Sequence, residues 1–165
     1  MVIHAGDLVS LDLLKQLKSL CKDVKAVWGN MDPQEVRDEL PQKEVFKAGN
    51  FTIGLYHGYG APNNIFGVLN SEFKNDKLDV IVFGHTHRAG YAKRTFAPPG
   101  NPVRERSREK LFVNTGCWAK TADLRPVDTF VYINGTGLYL LEWKGSGKIN
   151  CLFHEPHAWL RAMRP

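Results

Sequence analysis

The residues of this chain best suited to chemistry are an aspartate, an asparagine and three histidines. They sit in four short motifs: Gly6-Asp7, Gly29-Asn30-Met31-Asp32, His57-Gly58 and Gly84-His85-Thr86-His87. Each motif follows an apolar stretch that reads as a strand. Strand ends of an α/β sheet gather on one edge, where ligands bind. The Asp7 carboxylate, the Asn30 amide oxygen and the imidazoles of His57, His85 and His87 would converge there. That donor set suits Mn²⁺, Zn²⁺ or Fe²⁺ and holds too many nitrogens for Ca²⁺.

Taken singly, most of these motifs have a plain structural reading. Gly-Asp is a common turn, Gly-Asn uses the left-handed tolerance of both residues, and a lone His57 suits a hydrogen-bonded loop. Gly84-His85-Thr86-His87 is sharper. It turns polar abruptly after Val80–Phe83, and residues two apart in extended chain share a direction, so both imidazoles can reach one site. Asp32 has two readings of equal weight: orienting the site loop, or capping the helix after Pro33. His4 reads as core or as support for the site rather than as a ligand. Tyr56, Tyr59, Asn63 and Asn64 flank His57 and suit either a substrate cleft or loop packing.

Elements that could position the motifs follow from the apolar pattern. Val2–Ala5 and Val24–Trp28 read as strands. Ser10 caps a helix whose leucines 11, 13, 14, 17 and 20 keep to one side. Pro33 starts a short helix to Leu40. Glu44–Ala48 and Phe51–Tyr56 flank Gly49-Asn50 as a hairpin, and Asn63–Lys74 reads as helix. Leu78–Phe83 is apolar throughout, the mark of a strand buried on both faces. Behind it come short strands at Tyr91–Phe96, Leu111–Asn114, Thr129–Ile133, Leu138–Trp143 and Lys148–Phe153. The segment from Ala97 to Lys110 is Pro/Gly-rich and then mixed in charge, and it reads as a solvated hairpin tip. His154-Glu155-Pro156-His157 reads as tail, and the four tryptophans read as core or interface filler. The expected class is α/β, a single domain over residues 1–165 built on two packed β sheets flanked by helices.

Composition narrows the function classes. The chain has 165 residues, 43% hydrophobic and 24% charged, with 22 Lys+Arg against 17 Asp+Glu for a net charge of +5. That is ordinary for a globular domain, and a charge this mild admits phosphate-bearing ligands without demanding nucleic acid. Arg104, Arg106 and Arg108, with Lys93 and Arg94, leave nucleic acid open as a partner, though no dense basic stripe indicates it. No apolar run reaches the ~18–20 residues of a membrane span, and no signal-peptide pattern opens the sequence. Cys21, Cys117 and Cys151 are few and scattered, as expected of buried or half-buried thiols in a reducing cytoplasm.

In order and spacing the four motifs resemble those of the calcineurin-like metallophosphoesterases, in particular the small phosphodiesterase-type branch. That family's series runs Asp-x-His, Gly-Asp, Gly-Asn-x-(Asp/Glu), His and Gly-His-x-His. The last four are present here, and Asn114-Thr115-Gly116 is similar to a later Asn-x-Gly segment. The resemblance implies a four-layer sandwich of two sheets between helices, with a centre for two divalent metals at the strand ends. It implies that Asp7 bridges the metals, that Asn30, His57 and His85 complete one metal's shell, and that His87 ligates the other. It implies hydrolysis of a phosphodiester or phosphomonoester through metal-bound hydroxide, with Mn²⁺ as the expected metal and Zn²⁺, Fe²⁺ or Ni²⁺ as alternatives. Asp7, Asn30 and His57 are the expected catalytic residues.

Two departures shape these expectations. Asp-x-His occurs nowhere in the sequence, so the chain is expected to lack the family's first strand and to be N-terminally incomplete. Neighbouring strands would then miss a partner, and a site of one metal or none is expected in place of two. Met31 stands where phosphatase-like members carry an acid histidine, which points to the phosphodiesterase branch. The alternative is an inactive scaffold of the same fold that binds a protein, as in relatives resembling the retromer scaffold subunit. A homo-oligomer also stays open.

Overall fold

In the computed structural model the described residues are 1–96, 108–117, 129–133, 137–143 and 148–156. The chain begins with β1 (Val2–His4), α1 (Leu11–Leu20), β2 (Val24–Ala26) and α2 (Gln34–Glu39). The hairpin of β3 (Lys43–Ala48) and β4 (Phe51–Tyr56) follows, then a 3-10 turn at Pro62–Asn64, α3 (Ile65–Glu72) and β5 (Val80–Phe83). The remaining elements are strands: β6 (Gly90–Phe96), β7 (Arg108–Asn114), β8 (Thr129–Ile133), β9 (Gly137–Trp143) and β10 (Ile149–Pro156).

A five-stranded sheet in the order β3-β4-β5-β7-β6 forms the centre, with β4, β5 and β7 parallel. Its middle strands are apolar on both sides because both sides are covered. Phe51, Ile53, Leu55, Val80, Val82, Leu111 and Val113 face one core; Tyr56, Ile81, Phe83 and Phe112 face the other, against Ile65, Leu69 and Phe73. The first core is closed by two smaller sheets, the parallel pair β1–β2 and the antiparallel ribbon β8-β9-β10. Lys25 of β2 pairs with Glu44 of β3 at 2.7 Å, and Tyr91 of β6 stacks on Phe153 of β10 at 3.7 Å, so the small sheets lie over opposite margins of the large one. Outside β1–β2, α1 and α2 pack through Leu14, Val36 and Leu40 onto Leu8 and Ala26. The layers are therefore helix, sheet, sheet, helix, as the α/β expectation has it. The second sheet is in two pieces: β1 pairs with β2, β8 and β10 pair with β9, and no ladder joins the pieces among the described residues.

Local chemistry accounts for most element ends. The Ser10 side chain accepts the Leu13 N–H at 3.4 Å and starts α1. Gly49 takes φ 59° and lets the β3–β4 hairpin close.

The structure corrects four details. In α1 the packed stripe is Leu11, Leu14 and Leu17, three apart; Leu13 and Leu20 are exposed, the latter at the last helical residue. Pro33 caps α2 from extended backbone rather than lying in its first turn. Arg108–Lys110 begin β7 by pairing with Arg94–Phe96, so the cross-strand ladder outweighs their polarity; residues 97–107 lie outside the described residues. His154-Glu155-Pro156 belong to β10 rather than to a tail, and the His154 ring stacks on Tyr139 at 4.2 Å; His157 lies outside the described residues, as do Trp118 and Trp159.

Candidate metal centre

The parallel strands β1, β2, β4 and β5 each end in one of the four motifs, and their loops meet. Two glycines are required by that meeting. A Cβ on Gly6 would stand 2.7 Å from His57 Nδ1, and one on Gly29 would collide with the Asp7 side chain. Four residues other than glycine have left-handed backbones among the described residues: Asp7 (φ 59°), Val9 (φ 57°), His85 (φ 62°) and His87 (φ 58°). All four belong to these loops. Such conformations persist only where surrounding contacts over-determine them.

Asp32 supplies much of that determination. It is buried, and its carboxylate accepts N–H groups from Asp7 at 3.0 Å, Val9 at 2.7 Å and Gly29 at 2.7 Å. One side chain thus ties the loop after β1 to the loop after β2. Of its two sequence readings, the structure takes the loop-orienting one; no side chain caps α2. Asn114 does similar work on the last loop, donating to the Gly84 carbonyl at 3.0 Å and to Thr86 Oγ1 at 2.7 Å. His4 supports the first loop, its Nδ1 accepting the Gly6 N–H at 3.2 Å. Burial holds the His4 pKa below the ordinary imidazole value, and Asp32 and Asp7 only partly oppose this.

Of the five predicted site residues, four touch. His57 Nε2 lies 3.3 Å from Asp7 Oδ2 and 3.1 Å from Asn30 Oδ1. His85 Nδ1 lies 3.1 Å from the same Asn30 oxygen, and the two rings meet edge to face at 5.4 Å. His87 has no direct contact with the other four; it is half-buried and reaches Asp7 through its field. Among the described residues, no group of three or more His, Cys, Asp or Glu side chains stands ready to hold an ion. The set here is mixed, with the Asn30 amide between the imidazoles.

The protons at this site decide what it can hold. A neutral imidazole has one N–H. His57 Nδ1 donates to the Ala5 carbonyl at 2.6 Å, and His85 Nε2 donates to the Gly60 carbonyl at 2.9 Å. The nitrogens turned toward Asn30 are then bare. His57 Nε2, His85 Nδ1, Asn30 Oδ1 and Asp7 Oδ2 form a cluster of lone pairs with no proton between them. Rotating the Asn30 amide would give the rings an N–H yet leave His57 Nε2 facing the Asp7 carboxylate. Positive charge resolves the conflict, as an extra proton on His57 or as a divalent cation. The residues present therefore fit a divalent metal.

The pKa directions agree with the proton solution when metal is absent. Burial alone would raise the Asp7 carboxyl; the His57 hydrogen bond, the Met31 N–H at 2.8 Å and the fields of His57 and His87 outweigh it and lower the pKa. Burial alone would lower His57; the Asp7 hydrogen bond, the Ala5 carbonyl and the fields of Asp7 and Asp32 outweigh it and raise the pKa.

The comparisons with known proteins bear on family and fold. A model of the calcineurin-like phosphoesterase superfamily domain matches residues 1–134. The chain belongs to that superfamily. A probable metallophosphoesterase of Methanothermobacter thermautotrophicus is 36% identical over 88 residues, 53% of this chain and 50% of that protein. A phosphodiesterase of Methanocaldococcus jannaschii is 27% identical over 97 residues, 52% of this chain and 55% of that protein. The chain spans about half the length of the curated relatives it matches. Among solved structures, Vps29 of Entamoeba histolytica complexed with Zn²⁺ is 25% identical with a TM-score of 0.60, covering 94% of this chain and 81% of that one. The fold is thus the metallophosphoesterase fold, and the superfamily uses divalent metals.

The glycines and side chains of this centre are visible in the sequence as motifs. The Ala5 and Gly60 carbonyls, which fix the two imidazole tautomers, leave no such trace, since every residue carries a carbonyl. Asn114 is detectable only through its Asn-x-Gly segment. Met31 is 65% exposed and carries no group that transfers protons. Tyr59 is exposed and meets buried Tyr56 edge to face at 6.4 Å. Among the described residues, no helix is long and apolar enough to cross a membrane.

Proposed function

We propose that this chain hydrolyses a phosphodiester or an activated phosphomonoester with a divalent metal, Mn²⁺ for preference. One observation carries the reading: Asp7 Oδ2, Asn30 Oδ1, His57 Nε2 and His85 Nδ1 meet at the strand ends of a superfamily member. These four would hold one cation, and Asp7 with His87 would serve a second. When bound, the metal polarises the phosphoryl group and activates water for in-line attack.

The chain's own residues do the rest. The Ala5 and Gly60 carbonyls hold the rings so that His57 Nε2 and His85 Nδ1 are the nitrogens turned toward the site. Asp7, Asn30 and His57 line the reacting side, and Asp32 keeps Asp7 and Asn30 in register. Proton delivery to the leaving group falls to a residue other than Met31 or to water. None of the three cysteines forms a disulfide, which supports a reducing, cytoplasmic setting; Cys21 and Cys117 are half-buried and Cys151 is exposed.

The test is metal content and turnover together. Asp7→Ala and His85→Ala should each lose Mn²⁺ by elemental analysis and lose hydrolysis of bis-p-nitrophenyl phosphate. Unchanged activity in both variants overturns the reading. The likeness to Vps29 supports a second one, a metallophosphoesterase-fold scaffold that binds a protein partner; Mn²⁺ uptake by the unmodified chain without hydrolysis selects it.

A further inference from the structure

Beside the candidate centre, α3 does not fully cover the five-stranded sheet. A cavity of about 210 Å³ opens there, lined by Ile65 and Phe66 of α3, Phe83 of β5, Ala92 of β6 and Phe112 of β7. The three phenylalanines form an aromatic corner. Phe66 meets Phe112 edge to face at 5.3 Å and Phe83 at 6.3 Å. Arg88, exposed, stands in the lining, and Arg94 lays its guanidinium 4.8 Å over the Phe66 ring. Among the described residues, no carboxylate lines the cavity.

The cavity and the candidate centre share a wall. Thr86 lines the cavity and sits between His85 and His87, and Asn114 lines it too and holds Thr86 in place. A phosphoryl group at the imidazoles would therefore have its substituent within a few bonds of the aromatic corner. Pockets for drug-sized ligands run to roughly 300–1,000 Å³, so this one is sized for a ring rather than for a whole nucleotide. Aromatic walls bind flat rings through stacked or edge-to-face contacts, and cationic flanks favour an anionic parent molecule.

We propose that this cavity is the subsite for an aryl or heteroaryl substituent of the substrate, which makes the substrate class phosphate esters bearing a flat aromatic ring. The proposal rests on phosphoester hydrolysis at the neighbouring centre, and it assigns that site its substituent.

The experiment follows the Ile65 and Ala92 methyl groups by NMR in the Zn²⁺-loaded chain. Phenylphosphonate, which cannot be hydrolysed, should shift both methyls and bind roughly tenfold tighter than methylphosphonate, the low end of what one apolar contact discriminates. Ala92→Phe should fill the cavity and erase that preference with Zn²⁺ content unchanged. Equal affinities, or methyls that do not move, overturn the proposal. Octylphosphonate binding as tightly as phenylphosphonate overturns the aromatic class. Phenol, which has no phosphoryl group, should shift the same methyls without metal, and phenol leaving them still also overturns the proposal. Phenol binding in a chain without hydrolysis would overturn the hydrolytic reading of the neighbouring centre and keep the ring site.

Discussion

The loops after β1, β2, β4 and β5 contrast with the ribbon β8-β9-β10. The ribbon is held by its ladder and by alternation, interrupted once where the register shifts between Cys151 and Phe153: Val131, Ile133, Leu138, Leu140 and Phe153 turn to the core, while Tyr132 and Leu152 are exposed. Its stability is spread over many interchangeable apolar contacts. The loops have few such contacts. They are held by polar side chains that each satisfy several backbone groups, and they carry all four left-handed residues other than glycine among the described residues. Strain is stored in the loops of the candidate centre, and a few residues restrain it. Substitutions should therefore act very differently in the two regions.

The largest effect is expected at Asp32. Asp32→Ala leaves three N–H groups of the strained loops without their acceptor, one buried and two part-buried, and a buried donor costs about 1–3 kcal/mol when unpaired. The expected loss is about 3 kcal/mol by urea unfolding, with Mn²⁺ uptake lost as well. Tyr132→Ser, on the exposed face of the ribbon, should stay within about 0.5 kcal/mol. Comparable losses from both would erase the contrast.

That contrast also explains how legible the molecule is in its sequence. The apolar run Val80–Phe83 announces its burial on both faces, and Ser10 announces α1, because period and capping are local properties. The site motifs are legible for the same reason: glycines and histidines at strand ends are rare enough to stand out. The joining contacts are not. Asp32 reads equally as a helix cap, and only the arrival of the Asp7 and Val9 amides, far away in sequence, decides its role. His154 reads as tail because Pro156 disfavours strand; pairing with Tyr139 overrides that, and Pro156 ends β10, where a missing N–H costs least. The aromatic cavity is invisible for a related reason, since Phe66, Phe83 and Phe112 each look like ordinary core and only the packing leaves space between them.

A middle-sized effect is expected from pH. In the metal-free chain the lowered Asp7 pKa contributes stability above the ordinary carboxylate value of 3.8, lost as pH falls through the lowered value. The raised His57 pKa contributes stability below the ordinary imidazole value of 6.5, lost as pH rises through the raised value. Their pairing is strongest between those limits. His4 acts the other way, because its lowered pKa removes stability as pH drops below 6.5. Comparing the wild type with Asp7→Asn largely cancels that contribution. The stability difference between them should peak between pH 3.8 and 6.5 and shrink on both sides. Saturating Zn²⁺ should extend it on the alkaline side, since metal needs the deprotonated ring. A difference that ignores pH would show that the two side chains do not interact.

The smallest effect is the sharpest comparison, because one substitution should change sign between the regions. Val9 is β-branched, has φ 57° and is 58% exposed, so its side chain adds strain and little packing. Its N–H still reaches Asp32, and glycine would keep that bond. Val9→Gly removes strain of order 1–3 kcal/mol at a cost of about 0.4–1 kcal/mol in unfolded-chain entropy, so a net gain of about 1 kcal/mol is expected. Val131→Gly carries the same entropy cost but relieves nothing. Val131 is ordinary strand packed against the core, and its loss should destabilise by about 1–3 kcal/mol. Urea midpoints moving in opposite directions would show the strain to be real and local to the loops of the candidate centre. A loss at Val9 as large as that at Val131 would mean that its backbone geometry costs the chain nothing.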